Sequence, residues 1–252
     1  MSFTEGRIVE RRDTDLISRT ETYVKEAMVD KQGPLLIAHD FKHVDRVRNW
    51  SLCIAKGEGF SDLQVVQVAA LLHDIGLSYI HEENERGKHG QVGAKIADRF
   101  LNESSALPQE QIERITLAIR YHNSRPSLVV DLLSSIGERG KLVEIIRDAD
   151  TMDAIGAVGL MRAFTSKYSL PEYDPENIRG ETWELSSDGF TERLEKGLGV
   201  GKYIIDQANF QISLYENLRT KTAKQLARPL VEFMKDYVLQ LEREIESSRS
   251  DV

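Results

Sequence analysis

The sequence predicts an all-α protein in a single helical domain. Apolar residues recur three and four positions apart through most of the 252 residues, and the alternation typical of strands is scarce. With 40% hydrophobic residues, 29% charged residues and only six prolines, the composition is that of a folded chain that can bury a sizeable core. Because no internal repeat and no linker stand out, we predict one domain over residues 1–252, with its core at about 20–165.

Residues typical of helix ends, together with apolar residues at helical spacing, predict the first three helices. We expect a helix over residues 15–29 and a second over residues 40–56. Ser61, followed three residues later by Gln64, resembles a capping box and predicts a third helix over residues 62–76. That helix is apolar on nearly all sides, so we expect it at the centre of the fold.

The remaining helices follow a polar loop that is expected at residues 78–88. They are expected over residues 89–101, 108–122, 127–139, 141–156 and 158–167. Residues 168–200, which are broken repeatedly by proline and glycine, predict an irregular excursion and a candidate lid, with one short helix at 190–196. C-terminal helices are expected over residues 202–247, and Pro229 should kink or interrupt the last one.

Composition and charge exclude several classes of protein. Cys53 is the single cysteine, which rules out an internal disulfide framework and a zinc site made of thiolates alone. A net charge of −8 argues against a stable complex with nucleic acid, whereas a small phosphorylated substrate needs only a few local cations. Apolar stretches are too short for a membrane span, and the N-terminus lacks a signal-peptide core. We expect a cytoplasmic protein with no membrane partner, and a homo-oligomer remains possible.

Histidine and aspartate residues fall on helix faces that should be buried. His122, for example, continues the apolar stripe of Ile115 and Ile119 at helical spacing. The same pattern holds for His43, His73 with Asp74, His89 and Asp150. Any one of them could be a hydrogen-bonded core residue. Since burying such groups costs several kcal/mol without partners, their number favours convergence on a bound cation, as in the metal sites of helical bundles.

Three segments carry a family resemblance: HDFKHVDRV, LLHDIG and DADTMDAIGAVGLMRAF. Their order resembles that of the HD-domain metal-dependent phosphohydrolases, in a subgroup known mostly as predicted hydrolases. The resemblance covers about residues 20–165 and implies an all-helical HD-type domain. It also implies that His43, His73, Asp74 and Asp150 hold one metal ion. Asp150 matches the family's motif better than Asp148, which could be a partner of the ligands instead.

Two further histidines resemble ligands of a second metal ion. His89, in KHGQVGAKIA, and His122, in RYHN, resemble the additional histidines of family members that hold two metals, where Asp74 would bridge. The resemblance therefore implies one or two ions. His39 could approach the site from the same helix face as His43 or could serve the helix N-terminus. His81 fits no pattern and is expected at the surface.

The resemblance implies hydrolysis of a phosphate ester or anhydride, in a small nucleotide-like molecule. Mixed imidazole and carboxylate ligands suit Mn, Fe, Co, Ni or Zn. Asp74 or Asp150 would orient the attacking water, and His89 or His122 could protonate the leaving group if only one metal binds. Arg46 and Lys88 are the candidate phosphate-binding residues.

Two other functions stay open. A di-iron oxygenase could use the same ligand set, and a non-catalytic module could sense a nucleotide. Modules of the second kind usually lose ligands, and this sequence has them all. A purely structural helical protein would leave the His73–Asp74 pair and Asp150 without an explanation.

Overall fold

The computed structural model describes residues 3–29, 39–80 and 82–249, and these form eleven α-helices without a β-strand. The helices are α1 (Phe3–Val29), α2 (Phe41–Gly57), α3 (Leu63–Leu72), α4 (His89–Ser104), α5 (Gln109–Tyr121), α6 (Pro126–Ile136), α7 (Lys141–Asp153), α8 (Gly156–Ser166), α9 (Ser187–Glu195), α10 (Ile204–Ser213) and α11 (Lys221–Arg249). The prediction of an all-α fold is confirmed. None of the described helices is long and apolar enough to cross a bilayer.

The chain divides into two compact units between Asp150 and Thr151. In the first unit, α3 packs against α1, α2 and α5, and α4 packs along α5. In the second unit, α8 packs against α10 and α11. The prediction of a single domain over residues 1–252 stays a prediction.

Helix α3 lies at the centre of the first unit, as its composition predicts. Its buried residues are Val65, Val66, Val68, Ala69, Ala70, Leu71 and Leu72, and none of them has exposed surface. The predicted capping box at Ser61 and Gln64 is wrong. Asp62 is the N-cap instead, and its carboxylate accepts a hydrogen bond from the backbone N–H of Val65 at 3.2 Å.

The end of α3 differs from the prediction. The helix stops at Leu72, and the chain passes through His73 and Asp74 into a 3₁₀ turn at Ile75–Tyr79. A second 3₁₀ turn at Glu83–Lys88 replaces most of the loop expected at residues 78–88. These turns lead directly into α4, so His89 begins that helix close to the His73–Asp74 pair.

Two other helices differ from the prediction. Helix α1 begins at Phe3, twelve residues before the expected start. Residues 3–14 mix charges of both signs and show no clear apolar stripe, so the sequence pattern does not indicate this part of the helix. Helix α11 continues through Pro229, so the predicted interruption is wrong, and the predicted kink stays a prediction. Pro229 and Gln225 are both exposed, so water can satisfy the Gln225 carbonyl that the proline leaves without an N–H donor.

The excursion at residues 168–200 is anchored by Asp206 of α10. The buried carboxylate accepts hydrogen bonds from the backbone N–H and hydroxyl of Thr182, at 3.1 and 2.8 Å. It also accepts from the backbone N–H groups of Lys202 and Tyr203, at 3.1 and 3.2 Å. One side chain therefore ties together two parts of the chain that flank α9. The lid hypothesis for this segment stays a prediction.

Replacing Asp206 by asparagine should loosen this segment. The amide presents N–H hydrogens where the carboxylate accepts hydrogen bonds, so the variant should lose about 1–3 kcal/mol of stability. Thermal unfolding should show a lower midpoint, and limited proteolysis should show faster cleavage within residues 168–200. Asp131→Asn, at an exposed position of α6, is the control. Equal cleavage of both variants would contradict the anchoring role of Asp206.

Candidate metal centre

Five separate segments of the first unit bring the predicted ligands together. His43 lies in the first turn of α2, where the Asp40 carboxylate accepts a hydrogen bond from its backbone N–H. The other predicted ligands lie at the ends of helices. His73 and Asp74 succeed α3, His89 begins α4, His122 follows α5, and Asp150 lies in the last turn of α7.

The first cluster contains His43, His73, Asp74 and Asp150. The Nε2 atoms of His43 and His73 lie 3.2 Å apart, and each lies 3.4 Å from Oδ2 of Asp74. Oδ1 of Asp150 lies 3.5 Å from the first imidazole and 4.0 Å from the second. Neighbouring ligands at about 2.1 Å from one transition-metal ion are roughly 3.0–3.5 Å apart, so the donor atoms have nearly the spacing of a coordination shell. The first cluster therefore fits a divalent cation.

The second cluster faces the other oxygen of Asp74. Oδ1 lies 3.2 Å from Nε2 of His89 and 3.3 Å from Nε2 of His122, and these two nitrogens are 2.9 Å apart. Asp74 thus offers one oxygen to each cluster. Its position is the one that a bridging carboxylate would occupy, although the spacing does not decide whether an ion or hydrogen bonds join the second group.

His39 also reaches the site. Its Nδ1 lies 2.9 Å from Oδ2 of Asp74, and it forms a possible three-residue metal group with His43 and Asp74. Asp40 occupies the N-cap of α2, so of the two roles considered for His39 the approach to the site is the observed one. His81 lies outside the described residues.

The clusters are buried, with limited openings. His43, His73, Asp74 and His122 are buried, whereas the side chain of His89 is 13% exposed and that of Asp150 is 31% exposed. The donor atoms therefore come nearest to the protein surface at these two residues.

Opposite charges keep both carboxylates ionised. Burial favours a higher pKa for Asp74, but the imidazole of His73 and hydrogen bonds from neighbouring histidines hold that pKa well below its usual range. The same balance of burial against His73 and His43 lowers the pKa of Asp150. Burial would lower the pKa of His73, yet Asp74 outweighs it and raises this pKa to about 9. The site is thus electrostatically prepared for positive charge.

Backbone carbonyls orient two of the imidazoles. Nδ1 of His73 lies 2.7 Å from the Ala70 carbonyl, and Nδ1 of His122 lies 2.7 Å from the Ile119 carbonyl. Because a carbonyl only accepts, each Nδ1 carries a hydrogen and donates it. Nε2 is then the nitrogen left for a cation, which is the usual outer-shell arrangement of metal-binding histidines. At His73, whose pKa is raised to about 9, a cation must displace the hydrogen on Nε2 to reach its lone pair.

Asn123 and Arg147 contribute contacts that the sequence does not indicate. The amide nitrogen of Asn123 lies 3.1 Å from the Gly87 carbonyl and 3.1 Å from Nδ1 of His89. Nη1 of Arg147 donates to the backbone carbonyls of residues 121, 122 and 124. These contacts join residues distant in the chain, so no local pattern reveals them.

The two candidate phosphate-binding residues differ in their surroundings. Arg46 is half-buried and lies one helical turn after His43 on α2. Lys88 is exposed, and its ammonium group lies 3.1 Å from the carboxylate of Glu85. Asp148 is buried, whereas Asp150 carries the oxygen that enters the first cluster.

Comparison with known families finds a match for the region that holds the site. The family model described as HD domain matches residues 40–155, the stretch that contains every residue of both clusters. This part of the chain is therefore similar to HD domains.

Individual relatives extend this likeness beyond the matched domain. The protein YpgQ of Bacillus subtilis is 25% identical over 233 residues, which cover 89% of this chain and 91% of YpgQ. A crystal structure of a predicted HD superfamily hydrolase from an uncultured Thermotogales bacterium is 25% identical, with a TM-score of 0.57 and coverage of 90% and 91% of the two chains. An HD-superfamily hydrolase from Bacillus thuringiensis shares the fold at 22% identity, with a TM-score of 0.60 and coverage of 92% and 97%.

Gly76 allows the close approach that places His89 beside Asp74. A Cβ atom at this position would lie 2.0 Å from the carbonyl oxygen of His89 and 2.7 Å from the backbone nitrogen of Gly93. Both neighbours are backbone atoms of α4, so no side-chain rotation can relieve the overlap.

Gly76→Ala should therefore push the start of α4 away from Asp74. We expect a loss of about 1–3 kcal/mol in stability and weaker metal retention, measured by denaturant unfolding and elemental analysis. Gly87→Ala is the matched control, because a Cβ at Gly87 meets no atom within 4 Å. Equal stability and equal metal content of the two variants would contradict the role of Gly76 in placing His89 beside Asp74.

Proposed function

We propose that the protein is a metal-dependent phosphohydrolase that cleaves a phosphate ester or anhydride in a small nucleotide-like substrate. The observation that carries the proposal is the first cluster, where donor atoms from His43, His73, Asp74 and Asp150 have nearly the spacing of ligands around one ion. The match of residues 40–155 to the HD domain supports the hydrolytic reaction. YpgQ supports the substrate class, since that relative has been crystallised in complex with ADP.

The first cluster is the proposed cation site. Its imidazole and carboxylate donors suit Mn, Fe, Co, Ni or Zn. When bound, such a cation lowers the pKa of a water molecule and polarises a phosphoryl oxygen. The chain's own contribution is to fix the donor atoms before the substrate arrives.

The carboxylates are the proposed orienting groups for the attacking water. Both are ionised, so each can accept a hydrogen bond from water and aim its oxygen at phosphorus. Asp150 is the more exposed of the two and lies where a substrate can approach. His89 and His122 complete the site at the other oxygen of Asp74, either as ligands of a second cation or as hydrogen-bonding groups beside the leaving oxygen.

Arg46 and Lys88 are the proposed contacts for the substrate phosphates. A phosphorylated molecule beside Asp74 and Asp150 brings further negative charge, which guanidinium and ammonium groups offset. Arg46 is the stronger candidate because it is half-buried and lies one helical turn after His43, whereas Lys88 is exposed.

Asp74→Ala tests the proposal at the residue shared by both clusters. The variant should lose bound metal and phosphohydrolase turnover, because five contacting imidazoles lose their common carboxylate. The measurements are elemental analysis and phosphate release from a panel of nucleotides with Mn, Co, Ni or Mg. Circular dichroism should stay close to that of the wild type. Asp131→Ala, at an exposed position, is the control. Turnover retained by the Asp74 variant would exclude the proposed mechanism.

Arg46→Gln tests phosphate binding separately from metal binding. Losing one charged contact to phosphate should raise KM about tenfold, equivalent to about 1.4 kcal/mol, with metal content unchanged. Lys88→Gln should have a smaller effect because its ammonium is exposed and paired. Lys95→Gln, at an exposed position of α4, controls for loss of a surface charge. An unchanged KM in the Arg46 variant would remove this residue from the binding site.

A further inference from the structure

The two imidazoles of the second cluster have opposite hydrogen-bond environments. Nδ1 of His122 faces the carbonyl of Ile119, so this nitrogen donates and Nε2 keeps a lone pair. Nδ1 of His89 instead faces the amide nitrogen of Asn123 at 3.1 Å. An amide N–H₂ group can only donate, so Nδ1 of His89 must accept.

The orientation of the Asn123 amide is set by a second contact. The same amide nitrogen lies 3.1 Å from the carbonyl oxygen of Gly87, which requires a donor. Rotating the amide by half a turn would place two oxygen atoms against each other. The network therefore assigns nitrogen to the position that faces both Gly87 and His89.

This assignment puts the ring hydrogen of neutral His89 on Nε2. That N–H points at two acceptors, Nε2 of His122 at 2.9 Å and Oδ1 of Asp74 at 3.2 Å. The single hydrogen on Nε2 of His89 is thus shared by two acceptors, which lie 3.3 Å from each other, and no ion is needed to place it. A metal ligand must offer a lone pair, which Nε2 of His89 does not have in this form.

We propose that Asn123 is a positioning residue that keeps His89 as an Nε2–H hydrogen-bond donor, so that the protein holds one cation, at His43, His73, Asp74 and Asp150. His89 is then a donor for a phosphoryl oxygen, which would replace Nε2 of His122 as an acceptor beside Asp74. It does not supply the proton of the leaving group, because loss of its single ring hydrogen would leave an imidazolate. Only the role of the first cluster rests on the proposed function.

The first experiment reads the position of the ring hydrogen in the wild-type chain. Long-range ¹H–¹⁵N correlation spectra of ¹⁵N-histidine-labelled protein without added metal distinguish a protonated Nδ1 from a protonated Nε2. We expect His89 to carry its hydrogen on Nε2 and His122 to carry its hydrogen on Nδ1, with signals assigned through His89→Gln and His122→Gln. A hydrogen on Nδ1 of His89 would overturn the inference.

The second experiment reverses the hydrogen bond. A carboxylate only accepts, so Asn123→Asp should draw the hydrogen to Nδ1 of His89 and free the Nε2 lone pair. Elemental analysis after loading with Mn or Zn should then rise from about one ion per chain in the wild type to about two in the variant. Asn102→Asp makes the same chemical change at an exposed position of α4 and should stay at about one.

The outcomes separate the two proposals. Two ions per wild-type chain would overturn the assignment of His89 and leave the phosphohydrolase proposal intact. Failure of any cation to bind at the first cluster would remove the proposed function, while the ring-hydrogen position of His89 would still be decided by the spectra. An Asn123→Asp variant that folds but gains no ion would also count against the positioning role.

Discussion

The site depends on one buried carboxylate. Asp74 is 2% exposed, and its two oxygens contact imidazoles from different segments of the first unit. The partners are His39, His43 and His73 on one oxygen and His89 and His122 on the other. A buried carboxylate without such partners would cost several kcal/mol, so each segment that delivers an imidazole also stabilises the anion. Fold stability and chemistry therefore draw on the same contacts.

Small residues let these segments meet. Gly76 lies against the first turn of α4, and Gly90 of α4 lies against the end of α5, where a Cβ atom would come within 2.5 Å of Oδ1 of Asn123. The helix ends, rather than the helix faces, then converge on Asp74. This explains why His73 and His122 each follow the last residue of a helix, where a backbone carbonyl three residues earlier can orient the ring.

Much of this arrangement is predictable from the sequence. Helical periodicity finds most of the helices, and the apolar composition of α3 places it at the centre of its unit. Position on a buried face singles out His43, His73 and His122, because an imidazole interrupting an apolar stripe needs a partner. Asp150 was placed by the same reasoning, although its side chain is 31% exposed.

Other features depend on contacts that no local pattern encodes. The end of α3 follows from the approach of Gly76 to the backbone of α4, which periodicity within α3 cannot show. The contact of His39 with Asp74 spans 35 residues, and that of Asn123 with His89 spans 34. The sequence also does not decide which residue caps α3. Asp62 is the N-cap, but Ser61 precedes it, and aspartate and serine have similar preferences for the N-cap position.

Arg147 links α7 to the end of α5 and the residues that follow it. It lies one helical turn before Asp150 on α7, and its Nη1 donates to the carbonyl of His122 and to two neighbouring carbonyls. A movement of the α7 backbone at Asp150 would therefore also move a residue that donates to the His122 carbonyl. Donor atoms linked in this way would adjust together to ions of different radius. Discrimination among metals would then depend on the rigidity that the Arg147 hydrogen bonds give to the site, as well as on the identity of the ligands.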